Sequence, residues 1–200
     1  IDHQGREALV VWGGEHLTAH DAADGKIIWS AAGFNPAGKR NWVVVGTPVI
    51  VNQMVVVPYG RGDRLHGVKL GGRGDVTRSH RVWDREDTGL FVPSPAAHAG
   101  KVYLVRDKGE VECVDPETGQ TLWNDRFPKH RAKYYSSPAV ADGKIYAARE
   151  DGVVFVGRIA GGFKVLSEND LGERIIAAPV PVGSRLLLRG EKHLFCFTGR

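Results

Sequence analysis

The stretch CVDPETGQTLW, at residues 113–123, decides the fold. A second stretch, AHDAADGKIIW at residues 19–29, aligns with it without a gap. In both, a small residue is followed by Asp two positions later, Gly six later and Trp ten later. The Asp carboxylate suits the start of a turn, where it accepts backbone N–H groups, and Gly can adopt positive φ at the turn's end. Because the same turn occurs twice, the sequence predicts a repeat architecture.

A proline that follows a small or hydroxyl-bearing residue recurs along the chain. The prolines are spaced by 47, 43 and 41 residues, at Pro48, Pro95, Pro138 and Pro179. Each precedes short apolar segments separated by turns, as in VYLVRDKGEVECVDPETGQTLW of the third unit. Four short strands in a repeat of this length are typical of a β-propeller blade. The sequence therefore predicts an all-β fold, a β-propeller built from four-stranded antiparallel blades.

The units divide the chain into successive blades of a single partial propeller over residues 1–200. We expect a partial blade at 1–32, blades at 43–86, 90–127 and 134–171, and a partial blade at 175–200. The first unit is expected to lack its inner strand, and the last stops before an outer strand. Because blades must stack to bury their faces, such an open arc would leave two apolar faces in water. We therefore expect the remaining blades to come from the same chain or from a second copy.

Large side chains recur at the end of each unit, in the last predicted strand. Trp29, Trp83 and Trp123 hold equivalent positions, and Leu166 is the expected fourth member. An aromatic ring at this position can wedge between adjacent blades and bury a large apolar area. We call the predicted set the blade latch, and it consists of Asp21, Gly25, Trp29, Trp83, Asp115, Gly119, Trp123 and Leu166.

These motifs resemble the repeat of the PQQ-like (quinoprotein alcohol dehydrogenase-like) β-propeller family, whose tryptophan-docking pattern is approximately A-x-D-x-x-T-G-x-x-x-W. Residues 19–29 match it with Asp24 in place of Thr, and residues 113–123 match it with Cys113 in place of Ala. Residues 72–83 resemble a GxGDVTxxHxxW stretch of bacterial secreted or periplasmic members. The resemblance implies a propeller of eight blades, of which about four to five are present here, and a periplasmic or secreted location.

The resemblance leaves several functions open, because the family includes quinone-dependent dehydrogenases, outer-membrane assembly scaffolds and sensor domains attached to kinases. A dehydrogenase is expected to carry a calcium site and often an adjacent pair of cysteines. Cys113 and Cys196 are far apart and share a column of small residues, which favours a packing role. No calcium-loop spacing is present either.

We therefore expect a non-catalytic binding or scaffold domain with no catalytic residue, no metal and no cofactor. The alternatives are a PQQ-dependent dehydrogenase or its cofactor-binding remnant, with PQQ and calcium, and the sensor domain of a larger multidomain protein.

The charge balance restricts the class of partner. Lys and Arg number 27 against 23 Asp and Glu, which gives a formal net charge of +4. This excess is too small to predict nucleic-acid binding. No apolar run approaches the roughly 20 residues that a membrane-spanning helix needs. We expect a protein partner or a small anionic ligand.

One face of the predicted propeller collects basic and aromatic residues, since the loops before the inner strands and the turns between second and third strands share it. We call this set the rim, and it consists of Arg40, Trp42, Arg106, Arg131, Lys133, Tyr134, Tyr135, Arg149, Arg174 and Arg189. Guanidinium groups beside aromatic rings suit an anionic ligand or an acidic partner segment. In the simpler interpretation each rim arginine pairs with a neighbouring acid, such as Asp107, Glu150 or Glu191.

Overall fold

Five sheets follow one another along residues 1–198, the part of the chain that the computed structural model describes. The strands of the first two units are β1 Asp2–His3, β2 Arg6–Gly13, β3 His16–Asp21, β4 Ile27–Ala31, β5 Val49–Val51, β6 Met54–Tyr59, β7 Arg64–Lys69, β8 Gly74–Asp75 and β9 Arg81–Arg85. Those of the other three are β10 Ala96–His98, β11 Lys101–Val105, β12 Glu110–Val114, β13 Thr121–Arg126, β14 Ala139–Ala141, β15 Lys144–Ala148, β16 Val153–Arg158, β17 Lys164–Asp170, β18 Val180–Val182, β19 Arg185–Arg189 and β20 Leu194–Thr198. A 3₁₀ turn at Gly60–Gly62 and a one-turn helix α1 at Thr77–His80 complete the elements.

Tight turns make consecutive strands antiparallel neighbours within each sheet. The sheet orders are β1-β2-β3-β4-β8, β5-β6-β7-β9, β10-β11-β12-β13, β14-β15-β16-β17 and β18-β19-β20. The expectation that the first unit lacks an inner strand is wrong, because Asp2–His3 pairs with the start of β2. This strand is only two residues long and has no proline before it, so the repeat pattern did not reveal it. The end of the expected last blade, residues 199–200, lies outside the described residues.

A segment of the second unit covers the outer edge of the first sheet. Strand β8 pairs in parallel with β4, with Trp29 opposite Gly74. Beyond β8, the Val76 backbone N–H donates to the Ser30 carbonyl at 2.8 Å. Open sheet edges expose unpaired backbone groups, and an added strand satisfies them. The insertion at 72–81 therefore ties the first two sheets together.

A ladder of hydroxyl groups links the inner strands at the points where they begin. Ser94 Oγ accepts the Thr47 backbone N–H at 2.9 Å, and Ser137 Oγ accepts the Ser94 N–H at 2.9 Å. These residues directly precede the repeating prolines. At the next equivalent position Ala178 has no hydroxyl to offer. The residues before the first three prolines thus connect one sheet to the next, and we call Thr47, Ser94 and Ser137 the hydroxyl ladder.

Removing the Ser137 hydroxyl is expected to lower the free energy of unfolding by about 1 kcal/mol, because the Ser94 N–H loses its acceptor. The reverse change, Ala178→Ser, is expected to raise it by about 0.5–1.5 kcal/mol by extending the ladder. Urea denaturation of both variants measures these effects, with Ser184→Ala in an exposed turn as the control. A loss in the control equal to that of Ser137→Ala would contradict the role of the ladder.

The core consists of four buried clusters, and each lies between two successive sheets. Leu17 and Val55 belong to the cluster between the first and second sheets, and Val154 and Leu188 belong to the one between the fourth and fifth. Apolar side chains remain exposed on the outer faces of the two end sheets, among them Leu9, Val11, Ile27, Val180, Val182 and Leu194. Stacking therefore buries each sheet against its neighbours and leaves the end faces of the arc open.

Candidate functional site

The aspartates of the latch hold the turns between third and fourth strands. Asp115 Oδ1 accepts the backbone N–H groups of Glu117 and Thr118, both at 2.9 Å. Gly119 donates its N–H to the Asp115 carbonyl at 2.9 Å and has φ of +72°. These bonds, the Thr118 N–H first, lower the pKa of the Asp115 carboxyl. In the turn at Asp21, Oδ1 accepts the Ala23 N–H at 2.9 Å and the carbonyl accepts the Gly25 N–H at 2.8 Å.

Trp83 joins the second sheet to the third. Its indole Nε1–H donates to the Pro116 carbonyl at 2.9 Å, in the turn that Asp115 holds. A Cβ atom on Gly67 would overlap the Trp83 ring, and one on Gly119 would lie 2.6 Å from it. The ring is therefore enclosed between a glycine of its own sheet and a glycine of the next.

The other two tryptophans contact the following unit through their rings. Trp29 is fully buried in the cluster that contains Val68 and Val76 of the second unit. Trp123 stacks on Phe163 of the fourth unit, with ring centroids 6.1 Å apart and planes inclined by 23°. Each predicted latch tryptophan thus packs towards the sheet that follows it.

Leu166 does not take the corresponding position in the fourth sheet, and its assignment to the latch is corrected. Its side chain is 49% exposed, and Val165 pairs with Gly157 beside a bulge. The ring of Phe163 occupies the space that a Cβ on Gly157 would need. The turn of the fourth unit is shorter, so its large side chain, Phe163, comes earlier in the sequence than Leu166. The only sequence signal was an aromatic residue three positions before Leu166.

A buried carboxylate between the second and third sheets was not predicted. Glu112 in β12 is 6% exposed, and its Oε1 accepts a charged hydrogen bond from Arg85 Nη1 at 2.9 Å. Thr88 donates to Glu112 Oε2 at 2.6 Å, and Thr121 donates to Oε1. Buried charges are stable only when they are paired and hydrogen-bonded in this way. The cluster therefore fastens the outer edge of one sheet to the next.

The equivalent strand position in the second sheet holds a buried histidine, His66, which pairs with the exposed Asp84. His66 Nδ1 lies 2.6 Å from Asp84 Oδ1, and Arg81 donates to the same oxygen at 2.7 Å. The bond to His66, aided by Arg81, lowers the pKa of the Asp84 carboxyl to about 2. His66 and Glu112 occupy the same strand position in their units, where the fourth unit has Val156. The polar residues at this position were the sequence signal for the two polar clusters.

Three members of the predicted rim are buried within the protein. Trp42 packs at the edge of the first core cluster, with the Lys39 ammonium 4.9 Å from its ring centre. Tyr134 stacks on Phe127 at 5.5 Å, and burial raises the pKa of its hydroxyl. Arg149 is 5% exposed, and its Nε donates to Asp151 at 2.8 Å. These side chains stabilise the sheets and are not displayed to a partner.

Two further rim arginines are exposed but engaged by neighbours. Arg174 lies 3.4 Å from Glu191 Oε1 and 3.9 Å from Glu150 Oε2. Arg189 donates to the carbonyl oxygen of His193 at 3.1 Å. For Arg174 the simpler interpretation, pairing with a nearby acid, agrees with the geometry.

The remaining rim residues lie at the surface. Arg40 and Arg131 are exposed, and Lys133 and Tyr135 are half-buried. The backbone N–H of Lys133 donates to Glu150 at 3.0 Å. Arg106, the last of these residues, is half-buried and lines a separate cleft.

The cleft that Arg106 lines has a volume of about 200 Å³ and lies between the second and third sheets. Arg61 also lines it, with its guanidinium 4.4 Å above the Phe91 ring and a backbone φ of +61°. Positive φ is unusual for a residue with a side chain. Burial raises the pKa of Asp107 in the same cleft. Sequence reasoning missed Arg61 because it occurs in a Gly-rich turn.

Residues 1–198 contain no group of three His, Cys, Asp or Glu side chains placed to hold a metal ion. Cys113 is buried in the third sheet, whereas Cys196 is exposed in the fifth. No helix among the same residues has the length and apolar character to cross a membrane.

Comparison with known proteins relates this fold to a curated relative and to solved structures. Tetrathionate hydrolase of Acidianus ambivalens is 30% identical over 123 residues, which cover 56% of this chain and 23% of the hydrolase. BamB from Moraxella catarrhalis superposes with a TM-score of 0.70 at 18% identity, over 98% of this chain and 56% of its own. The quinohemoprotein alcohol dehydrogenase ADHIIG from Pseudomonas putida HK5 gives 0.69 at 14% identity, over 96% and 39%.

The chain spans less than a quarter of the hydrolase and about half of the Moraxella protein. The structural likeness at these identities concerns the fold, and it confirms the prediction of an all-β propeller of four-stranded antiparallel sheets. A family model described as outer membrane protein assembly factor BamB matches residues 78–162 and again residues 108–197. Because the two matches together cover more than half of the chain, the protein belongs to the PQQ-like β-propeller repeat family that BamB represents.

Proposed function

We propose that this protein is a non-catalytic scaffold propeller that binds an acidic segment of a protein partner at its rim. One observation carries the proposal: Arg40, Arg106 and Arg131 form no ion pair with any of residues 1–198. Arg149 and Arg174, by contrast, are held by acids. A guanidinium without a partner keeps its donors available for a carboxylate.

Membership of a family described as an assembly factor supports a scaffold role and a periplasmic or secreted location. The small net charge of +4 supports a local electrostatic contact over a general affinity for polyanions. A small anionic ligand in the cleft of Arg61 and Arg106 is the alternative occupant of the same face. Asp63, Asp107 and Glu110 also line that cleft, so its positive charge is largely compensated.

The variant Arg40→Glu/Arg131→Glu is expected to bind a labelled peptide of alternating glutamate and serine about tenfold more weakly than the unaltered chain. Reversing two exposed charges replaces attraction with repulsion. Fluorescence anisotropy at low salt measures the affinity, and added salt should weaken it in the unaltered chain. Arg158→Glu is the matched control, because this exposed arginine ends the third strand of its sheet, at the opposite end from the rim.

Equal affinity in the double variant and in the Arg158→Glu control would contradict binding at the rim. Calorimetric titration with PQQ, with and without calcium, tests the non-catalytic assignment. Calcium-dependent binding of PQQ in the micromolar range would overturn that assignment in favour of a dehydrogenase.

A further inference from the structure

An apolar residue recurs in the four loops that lead into the inner strands β5, β10, β14 and β18. It lies three positions before each repeating proline, at Val45, Val92, Tyr135 and Ile176. Val45 is 47% exposed and Ile176 is 45% exposed, while the two between them are half-buried. We call these four residues the mouth row. Single exposed apolar side chains are common on protein surfaces, but here an apolar residue recurs at the same repeat position, and grouped apolar surface marks interaction sites.

In three of the four loops, the residue just before the mouth-row residue packs towards the core. Tyr134 and Ile175 are fully buried, and Val44 is partly buried against the first core cluster. Because consecutive residues of an extended chain point in opposite directions, burial of one directs the next outward. Core packing beneath these three loops therefore directs Val45, Tyr135 and Ile176 outward.

The hydroxyl ladder keeps these loops in register. It joins Thr47 to Ser94 and Ser94 to Ser137, each two residues after a mouth-row residue. Neighbouring inner strands also contact each other directly. Val45, Val92 and Tyr135 therefore occupy matching positions in three adjacent loops, and Ile176 follows in the fourth.

Cationic groups flank the mouth row in the same loops. Arg40 lies five residues before Val45, Arg131 four before Tyr135, and Arg174 two before Ile176. Arg61 stacks on Phe91, the residue next to Val92. Arg174 is already held by Glu150 and Glu191, so Arg40 and Arg131 are the arginines of these loops without an ion pair among residues 1–198. An apolar row bordered by such guanidinium groups complements a segment that carries both aliphatic and acidic side chains.

We propose that the mouth row binds an extended acidic peptide segment of a protein partner, in which aliphatic side chains alternate with carboxylates. This inference rests on the proposed rim function and names the class of partner segment. In an extended peptide, alternate side chains point to opposite faces. Aliphatic groups on one face cover the mouth row, and the flanking arginines extend past the edges of the peptide to the carboxylates on its other face.

The test compares two labelled peptides by fluorescence anisotropy on the full chain, one of alternating glutamate and leucine and one of alternating glutamate and serine. The leucine peptide is expected to bind about tenfold more tightly, since it buries apolar surface that the serine peptide lacks. The variant Val45→Ser/Ile176→Ser should lose that difference and keep its affinity for the serine peptide. The matched control is Val82→Ser/Leu122→Ser, which removes two exposed apolar residues of outer strands.

The outcomes separate this inference from the proposed function. Equal affinity for both peptides in the unaltered chain overturns the mouth row as a binding surface and leaves the rim intact. Failure of both peptides to bind overturns both proposals. If a lysine–leucine peptide binds as tightly, the site does not select acidic segments. If the control variant loses as much affinity for the leucine peptide, the site is not at the mouth row. Self-association in sedimentation that Val45→Ser/Ile176→Ser abolishes would assign the row to a second copy instead.

Discussion

The Trp83→Ala variant is expected to lose about 3–5 kcal/mol of its free energy of unfolding, the range for a large aromatic side chain truncated in a packed interior. The indole ring fills the space between Gly67 and Gly119, and neither glycine has a side chain that could close the cavity. The Pro116 carbonyl also loses its donor. Two sheets are affected at once, because the ring belongs to the second and the turn to the third. Urea denaturation of the full chain, followed by tryptophan fluorescence and circular dichroism, measures the loss.

Leu166→Ala provides the matched control for that experiment. Leu166 occupies the sequence position expected for a fourth latch residue, but its side chain is half exposed. Its truncation is expected to change the free energy of unfolding by less than about 0.5 kcal/mol. A loss below about 1 kcal/mol for Trp83→Ala, or a comparable loss for Leu166→Ala, would contradict the assignment of the contact between sheets.

Replacing Glu112 with alanine is expected to cost about 1–3 kcal/mol, because the buried Thr88 hydroxyl loses its acceptor. Arg85 keeps its ion pair with Asp87, with Nη2 2.6 Å from Oδ2. The guanidinium of Arg85 loses its bond to Glu112, and the hydroxyls of Thr88 and Thr121 lose their acceptor. Of these donors, the Thr88 hydroxyl is the buried one, at 1% exposed, and it would remain unsatisfied. Thermal unfolding by calorimetry, together with urea denaturation, measures the effect.

Glu110 supplies the control for this second experiment, because it lies two residues earlier in the same strand. Its carboxylate is half-buried and lies 3.6 Å from Arg126. Partly exposed ion pairs contribute little, so Glu110→Ala is expected to cost only about 0–1 kcal/mol. If both glutamates gave the same loss, burial and hydrogen bonding would not distinguish the Glu112 cluster.

The features predicted well from the sequence are those that depend on short-range chemistry. The turn of residues 113–123 needs an acceptor at Asp115 and positive φ at Gly119, and both requirements are visible in the sequence. The spacing of the prolines likewise depends on backbone restrictions that any blade must meet. One such turn is a weak signal by itself, but its repetition at blade spacing predicts a propeller specifically.

The features predicted poorly depend on contacts between units. Leu166 was assigned by position, whereas a bulge shifts the pairing of β17 by one residue and brings Phe163 over Gly157. Arg149 was placed on the rim, but packing against Phe155 buries it. In the sequence, Glu112 is an ordinary polar residue of a strand. Its role depends on Arg85 of the preceding sheet, which only the fold brings beside it. Burial of a polar side chain is decided by its neighbours in space, which an isolated repeat does not specify.

The parallel pairing of β8 with β4 affects the order in which neighbouring sheets separate during unfolding. A stack of repeats generally opens from its ends, with each unit held only by the next. Here the first sheet cannot separate without also withdrawing the segment at 72–81 from the second, so the two form one cooperative unit. Between the other neighbouring sheets of residues 1–198 no strand of one sheet is added to the next, so those sheets separate from each other more readily than the first two do.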